Sequence, residues 1–486
     1  MVAAPRSLLA FAAVATTAMQ CTMATSLEYN PESKVADTVA LDSSHPAFGS
    51  WVPNHVVEAV VKADPELLPL ESLTIVEAPK PEMLASAPVA PPIGTVAGLG
   101  GTALVANTTE VNSQRVRRRL EASNTDLRKM EKHFGARMET NIHNLETSGE
   151  FKPAPWPSSY WPIYQDGINA RWDENQAPPS EKYAKAFGLN VSEFMDNVSR
   201  RNGILSQDGR QKCSSDDDCS DLDDNSACGI REGESEGYCI PTWFGICHAW
   251  APAAIMEPEP KCPVRKNGVT FQPFDIKALV TAVYDGAAVD TVFTGARYNG
   301  GNDAKDQWGR HEDPAYRDLG PGFFHIAFSN IMGRFKKSFV VDAAASAEVW
   351  NQPVRNYRVF NMRRVSLEMA GQYFYGTAQY PFNPRATSLA YVQTEFNWIV
   401  EGVENRPTVS NSRIDRYTKG RKYTYLLELD EEDNIIGGEW LYRSNDDHPD
   451  FLWFPTSRPA PDTVTDIGLS YKHVKELLDA SIKARC

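Results

Sequence analysis

Beyond its N-terminus the sequence lacks any apolar run approaching the roughly eighteen residues a membrane-spanning helix needs. Positive charge is also short: 49 Lys and Arg stand against 63 Asp and Glu, a net charge of −14. That balance argues against nucleic acid held on a basic face. Neither a CxxC element nor paired histidines at zinc spacing is present, and there is no internal repeat. A zinc module and a solenoid or propeller are therefore set aside. What remains is an acidic chain of 486 residues, 42% apolar and 23% charged. It is long enough for two or three domains around a sizeable core.

The first residues read as an address. Arg6 precedes an apolar stretch, Leu8 to Met19, and small residues follow as far as Ala24. This is the layout of a secretory signal peptide over 1–24. Sequons at Asn107, Asn190 and Asn197 agree with secretion. Residues 25–119 then read as a leader. Between 21 and 114 there are ten prolines and a charge of 3 − 11 = −8, with no sustained periodicity. Such a composition buries too little surface to offset its ordering entropy. The leader ends at Arg115-Val116-Arg117-Arg118-Arg119, read here as a processing site that releases a mature chain near Leu120.

An N-terminal helical and aromatic segment covers 120–212. Leu127, Met130, Phe134, Met138, Ile142 and Leu145 recur at helical steps, after capping candidates at Ser123, Asn124 and Thr125. The aromatic, proline-broken stretch 153–172 reads as an irregular surface wrap. A disulfide-rich acidic subdomain follows at 213–246. From 213 to 239 it holds four cysteines, nine acidic residues and one arginine, a charge of −8 in 27 positions. Asp221, Asp223, Asn225 and Glu232 fall on positions one, three, five and twelve of a calcium-loop pattern, but Ser226 stands where that loop wants glycine. The pattern leaves two readings, a carboxylate calcium site or a solvated acidic loop.

From 247 to 486 the texture is that of an α+β domain. Helices are expected from Cys247 to before Pro258 and over 274–284. Strands are expected at 338–343, 357–360, 395–400, 423–429 and 435–442, the last two joined through 430–434 as a hairpin. If Cys21 leaves with the signal peptide, seven cysteines remain, and an oxidising compartment must leave at least one unpaired. Cys247 is the candidate. It sits where Gly245 permits a turn into a helix, so the helix dipole would favour thiolate and the first N–H groups could hold an oxyanion. The alternative is an ordinary bridged cysteine.

A thiol nucleophile needs a base and an orienting acceptor. His325 lies in an apolar stretch, and Asp342 closes the strand after it. Placed on adjacent strands, the carboxylate would fix the imidazole tautomer. His448, among acidic neighbours, is the rival base; Asn330 is the reserve orienter; His248 points away from its neighbour and reads as structural. The order Cys, His, Asp is that of papain-like folds and of transglutaminases. Trp243 is positioned to line an acceptor channel.

The run Val349-Trp350-Asn351-Gln352-Pro353-Val354-Arg355 resembles the elicitor peptide of the oomycete transglutaminase elicitors, cell-wall glycoproteins perceived by plants. Its continuation, Asn356-Tyr357-Arg358-Val359-Phe360, departs from the family's Gly-Phe-Lys-Val-Tyr. Cys247-His248-Ala249-Trp250-Ala251-Pro252-Ala253, Phe324-His325, Gly437-Gly438-Glu439-Trp440 and the block from His448 to Trp453 also resemble family segments, in the family's order. The resemblance implies a secreted, calcium-dependent protein-glutamine γ-glutamyltransferase with a fold related to bacterial cysteine proteases. Its partners would be proteins offering glutamine and lysine, and a plant surface receptor that reads an exposed 349–360. A cysteine endopeptidase and a non-enzymatic wall recognition protein are the other readings.

Overall fold

The computed structural model describes residues 38–48, 125–301 and 303–486. The chain divides into Met1–Val35 and Ala36–Cys486, and every described residue belongs to the second unit. The signal segment, Asn107 and the Arg115–Arg119 run lie outside the described residues. None of the described helices is long and apolar enough to cross a membrane.

The central feature is a nine-stranded, wholly antiparallel sheet. In chain order its strands are β1 (Val39–Ala40), β2 (Ser148–Glu150), β8 (Asp290–Gly295), β9 (Val340–Asp342), β10 (Asn351–Val365), β11 (Ser388–Ile399), β12 (Thr418–Leu429), β13 (Ile435–Trp440) and β14 (Phe451–Pro455). Across the sheet they run β1-β8-β14-β9-β10-β11-β12-β13, with β2 also paired to β10. A three-stranded sheet joins β3 (Lys212–Cys213), β4 (Ser226–Gly229) and β5 (Gly237–Pro241). Cystines Cys213–Cys228 and Cys219–Cys239 staple it. A hairpin of β6 (Val264–Lys266) and β7 (Val269–Phe271) completes the strands.

The helices are α1 (125–134), α2 (Pro179–Phe187), α3 (Val191–Asn202), α4 (Cys247–Met256), α5 (Pro273–Gly286), α6 (Pro314–Arg317), α7 (Pro321–Phe328), α8 (Leu367–Ala370) and α9 (Tyr471–Lys483). One apolar cluster is built by α2 to α5 and α9; a second binds α1 and α7 to the sheet. The Cys262–Cys486 cystine ties the chain's last residue to the segment after α4.

Three local expectations change. The helix expected to run through Leu145 stops at 134, because Gly135 turns left-handed at φ 60°. Met138, Ile142 and Leu145 are buried all the same, from irregular backbone. The 153–172 stretch is not a surface wrap. Trp156 and Trp161 are buried, and the Trp156 indole donates to the Glu257 carbonyl at 2.9 Å. His325 lies on α7 rather than on a strand. Pro321 opens that helix, and its apolar faces all round give periodicity nothing to detect.

Candidate active site

Cys247 is the first residue of α4 and is 1% exposed. Among the described residues it is the free cysteine. The entry turn is fixed by close approach: the Ile246 amide donates to the Tyr160 carbonyl at 2.7 Å. A Cβ at Gly245 would fall 2.5 Å from the Tyr160 ring, so only glycine fits. Alanines 249, 251 and 253 then let α4 lie flush in the core.

The thiol meets the start of β10. Its Sγ lies 3.7 Å from the Val349 carbonyl oxygen and 3.5 Å from the Asn351 Nδ2. Asn351 is held in turn by the Trp453 indole, which donates to its Oδ1 at 2.9 Å. Burial pushes the thiol pKa up to about 12; hydrogen bonding from Asn351 opposes this, and the charges of Glu401 and Asp342 add to it. Burial thus acts against the thiolate that the start of a helix would favour.

Asp342 ends β9 and is fully buried. Its Oδ1 accepts from the Trp350 amide at 3.0 Å, while Oδ2 has no protein partner. Burial raises its pKa to about 7, against the pull of backbone donors and the Arg297 guanidinium. Asp450 is raised further by burial and by the Asp342 charge. Two such carboxyls cannot both ionise readily, so the pair tends to keep a proton. Glu401, bonded by Gln352 Nε2 at 2.8 Å, is likewise pushed up to about 7 by burial.

The other expected partners are elsewhere. His325 Nδ1 pairs with the Tyr425 hydroxyl at 2.8 Å, not with Asp342, and burial lowers its pKa to about 3. His448 turns both ring nitrogens to backbone carbonyls, of Ser444 and Tyr316. Asn330 clamps the backbone of Glu139 from both sides. His248 is bonded to Asp285 at 2.9 Å, a structural pair. Trp243 is buried in the apolar cluster that also contains Val349 and Trp453. Asn351, Asp450, Glu401 and Arg297 were not read from the sequence as site residues. Asn351 is visible in the sequence only as part of the elicitor run and Asp450 only within the His448–Trp453 block; no local spacing marks Glu401 or Arg297.

The elicitor run itself is largely buried, with Trp350 and Arg355 half-buried and Arg358, just beyond it, exposed. Val349, Asn351, Gln352 and Val354 are 0–4% exposed. The reason is that β10 is interior to the sheet, paired with β9 on one side and β11 on the other. The calcium loop does not converge either. The group of three or more His, Cys, Asp or Glu found close together among the described residues is Cys213, Cys219 and Cys239, all in cystines. Glu232 instead accepts from Arg171 at 3.2 Å, and Asp223 and Asn225 turn left-handed at φ 49° and 56°. The four residues as placed do not fit an ion, and no step is routed through one.

A family model described as transglutaminase elicitor matches residues 126–484, a span that includes every residue of this site. The chain belongs to the transglutaminase elicitor family. Among solved structures it is similar to the GP42 transglutaminase from Phytophthora sojae, at 54% identity and a TM-score of 0.68, over 74% of this chain and 98% of that one. No curated protein matches. The family assignment supports an acyltransferase with transglutaminase and elicitor function, built on helices and an antiparallel sheet.

Proposed function

We propose that Cys247 is the nucleophile of a protein-glutamine γ-glutamyltransferase. The single observation that carries this is the unbridged thiol at the start of a buried helix, where the other six cysteines of the described residues are paired. Its sulfur attacks the γ-carboxamide carbon of a glutamine side chain, ammonia leaves with the thiol's proton, and a thioester remains. A lysine amine then attacks the thioester, gives up a proton and restores the thiol, leaving an isopeptide bond.

As proton carrier we take Asp342, whose charge acts on the thiol. Its pKa near 7 suits general acid–base work at neutral pH, and its second oxygen is unpartnered. His325 would have to give up Tyr425, and burial makes it a poor base. Trp243 is retained as a wall of the acceptor channel, keeping water from the thioester. The helix-on-sheet placement of the thiol fits a papain-like arrangement, and the three cystines support secretion into an oxidising setting; a cell-wall location is part of the proposal. Calcium, implied by the family resemblance, is to be tested by chelation and has no step here. A plant receptor reading 349–355 is part of the same proposal.

Cys247→Ala should abolish incorporation of a fluorescent amine into casein, by a factor of about 10³ or more, with unchanged far-UV circular dichroism. Casein fragments on a gel without amine incorporation would favour the endopeptidase and overturn transfer.

A further inference from the structure

Residues 38–48 come from the leader yet are built into the domain. Val39 and Ala40 add β1 to the free edge of β8, in register with Thr291 and Asp290. The Leu41 amide continues the ladder, donating to the Val289 carbonyl at 2.9 Å. The chain then turns, with Asp42 Oδ1 accepting from the Ser44 amide and hydroxyl at 2.8 and 2.6 Å. His45 enters between Phe293 and Trp453, its Nε2 2.9 Å from the Thr291 hydroxyl. Leu41, His45, Ala47 and Phe48 are all 0–3% exposed.

The end of this segment lies over the thiol's surroundings. The Ala47 carbonyl accepts at 2.8 Å from Asn351 Nδ2, the same nitrogen that stands 3.5 Å from Cys247 Sγ. Arg297 Nη1 donates to the Pro46 and Phe48 carbonyls at 3.1 and 2.7 Å. The Phe48 ring packs, tilted by 32°, against His248, the residue after Cys247, with centroids 3.8 Å apart. Leu41 and Ala47 share an apolar cluster with Trp243. Meanwhile Arg297 Nε and Nη2 and the outer oxygens of Asp342 and Asp450 are left buried without protein partners. Main-chain carbonyls thus take the donors nearest the thiol, and strand addition supplies sequence-independent grip. Only Val39 and Ala40 are extended; from Asp42 to Phe48 the segment folds as two successive turns, the His45 amide donating to the Asp42 carbonyl and the Phe48 amide to the His45 carbonyl, both at 2.9 Å.

We propose that the groove along β8 and over Cys247 is a polypeptide-binding cleft, and that residues 38–48 are its resident occupant, competing in cis with the protein substrate. The proposal deepens the transferase reading and rests on Cys247 being its nucleophile. While the segment is seated, a glutamine-bearing chain cannot reach Asn351 or the thiol. Joined to the domain by the same polypeptide, the segment is present at high effective concentration. A cut between it and the domain leaves it only its own affinity, and substrate can then displace it.

The test uses the full-length chain and measures alkylation of Cys247 by iodoacetamide, followed by mass spectrometry. Phe48→Asp should speed alkylation at least tenfold over the parent, and a synthetic peptide of residues 36–50 added in trans should slow it again. A rate within twofold of the parent overturns the proposal. So does a faster rate that the peptide leaves unchanged, because the segment would then be a structural prop rather than an occupant. Alkylation needs no acyl transfer. If amine incorporation fails in every form while alkylation behaves as expected, the transferase reading falls and the cleft stands.

Discussion

Asp342 carries one carboxyl oxygen on the Trp350 amide and one without a protein partner. Burial lifts its folded pKa from 3.8 to about 7. A carboxyl raised on folding binds more protons in the native than in the unfolded chain between those two values. Stability from this group is therefore greatest at the acid end, declines as pH climbs from about 4 to about 7, and is flat above. Asp342→Asn, which can still accept from the Trp350 amide, should remove that slope and melt no lower than the parent at pH 8. The same change should cost about 10²-fold or more in amine incorporation and erase an inflection near pH 7 in the rate profile. His325→Ala, by contrast, should keep that inflection. If the inflection disappears with His325 and survives Asp342→Asn, the proton carrier is the imidazole. Cys247 is legible as the candidate nucleophile because parity and a turn-to-helix position meet there. Asp342 is legible too, but as the partner of an imidazole it does not meet; Asn351, Asp450 and Glu401 are not, because they come from separate stretches of chain and only the fold makes them its neighbours.

Among the elements, α5 supports the helix that bears the thiol, and a buried ion pair fixes its base. Lys277 donates to Glu259 and to the Pro157 carbonyl, both at 2.9 Å, and Glu259 also accepts from Thr408 and Val409. Lys277→Met would leave that carboxylate buried and uncompensated. Chemical denaturation should show a loss of about 3–5 kcal/mol. Helices 247–256 and 273–286 and the strands of the 395–440 region could be read ahead of the structure, since their apolar spacing is regular. β10 could not be read at full length. Pro353 sits within it, and register shifts near 354 and 359 break the alternation, so only 357–360 looked like a strand. β14 is buried along its whole length and has no polar face to betray it.

At the scale of the whole molecule, the family-matched span of 126–484 supplies the groove, and a piece of chain from before that span fills it. The leader's composition announced only that it would not fold alone; it gave no sign that 38–48 would find an edge strand to complete. The seven-residue run most diagnostic of the family is inner architecture, sealed between neighbouring strands beside the sulfur. Serum raised against a synthetic 349–354 peptide should therefore ignore the native protein in solution and stain it strongly on a denaturing blot. Binding of equal strength to both forms would mean that this strand is displayed in the intact protein. Recognition of the denatured form alone makes the run an alarm hidden in the machinery, heard once the enzyme is broken open.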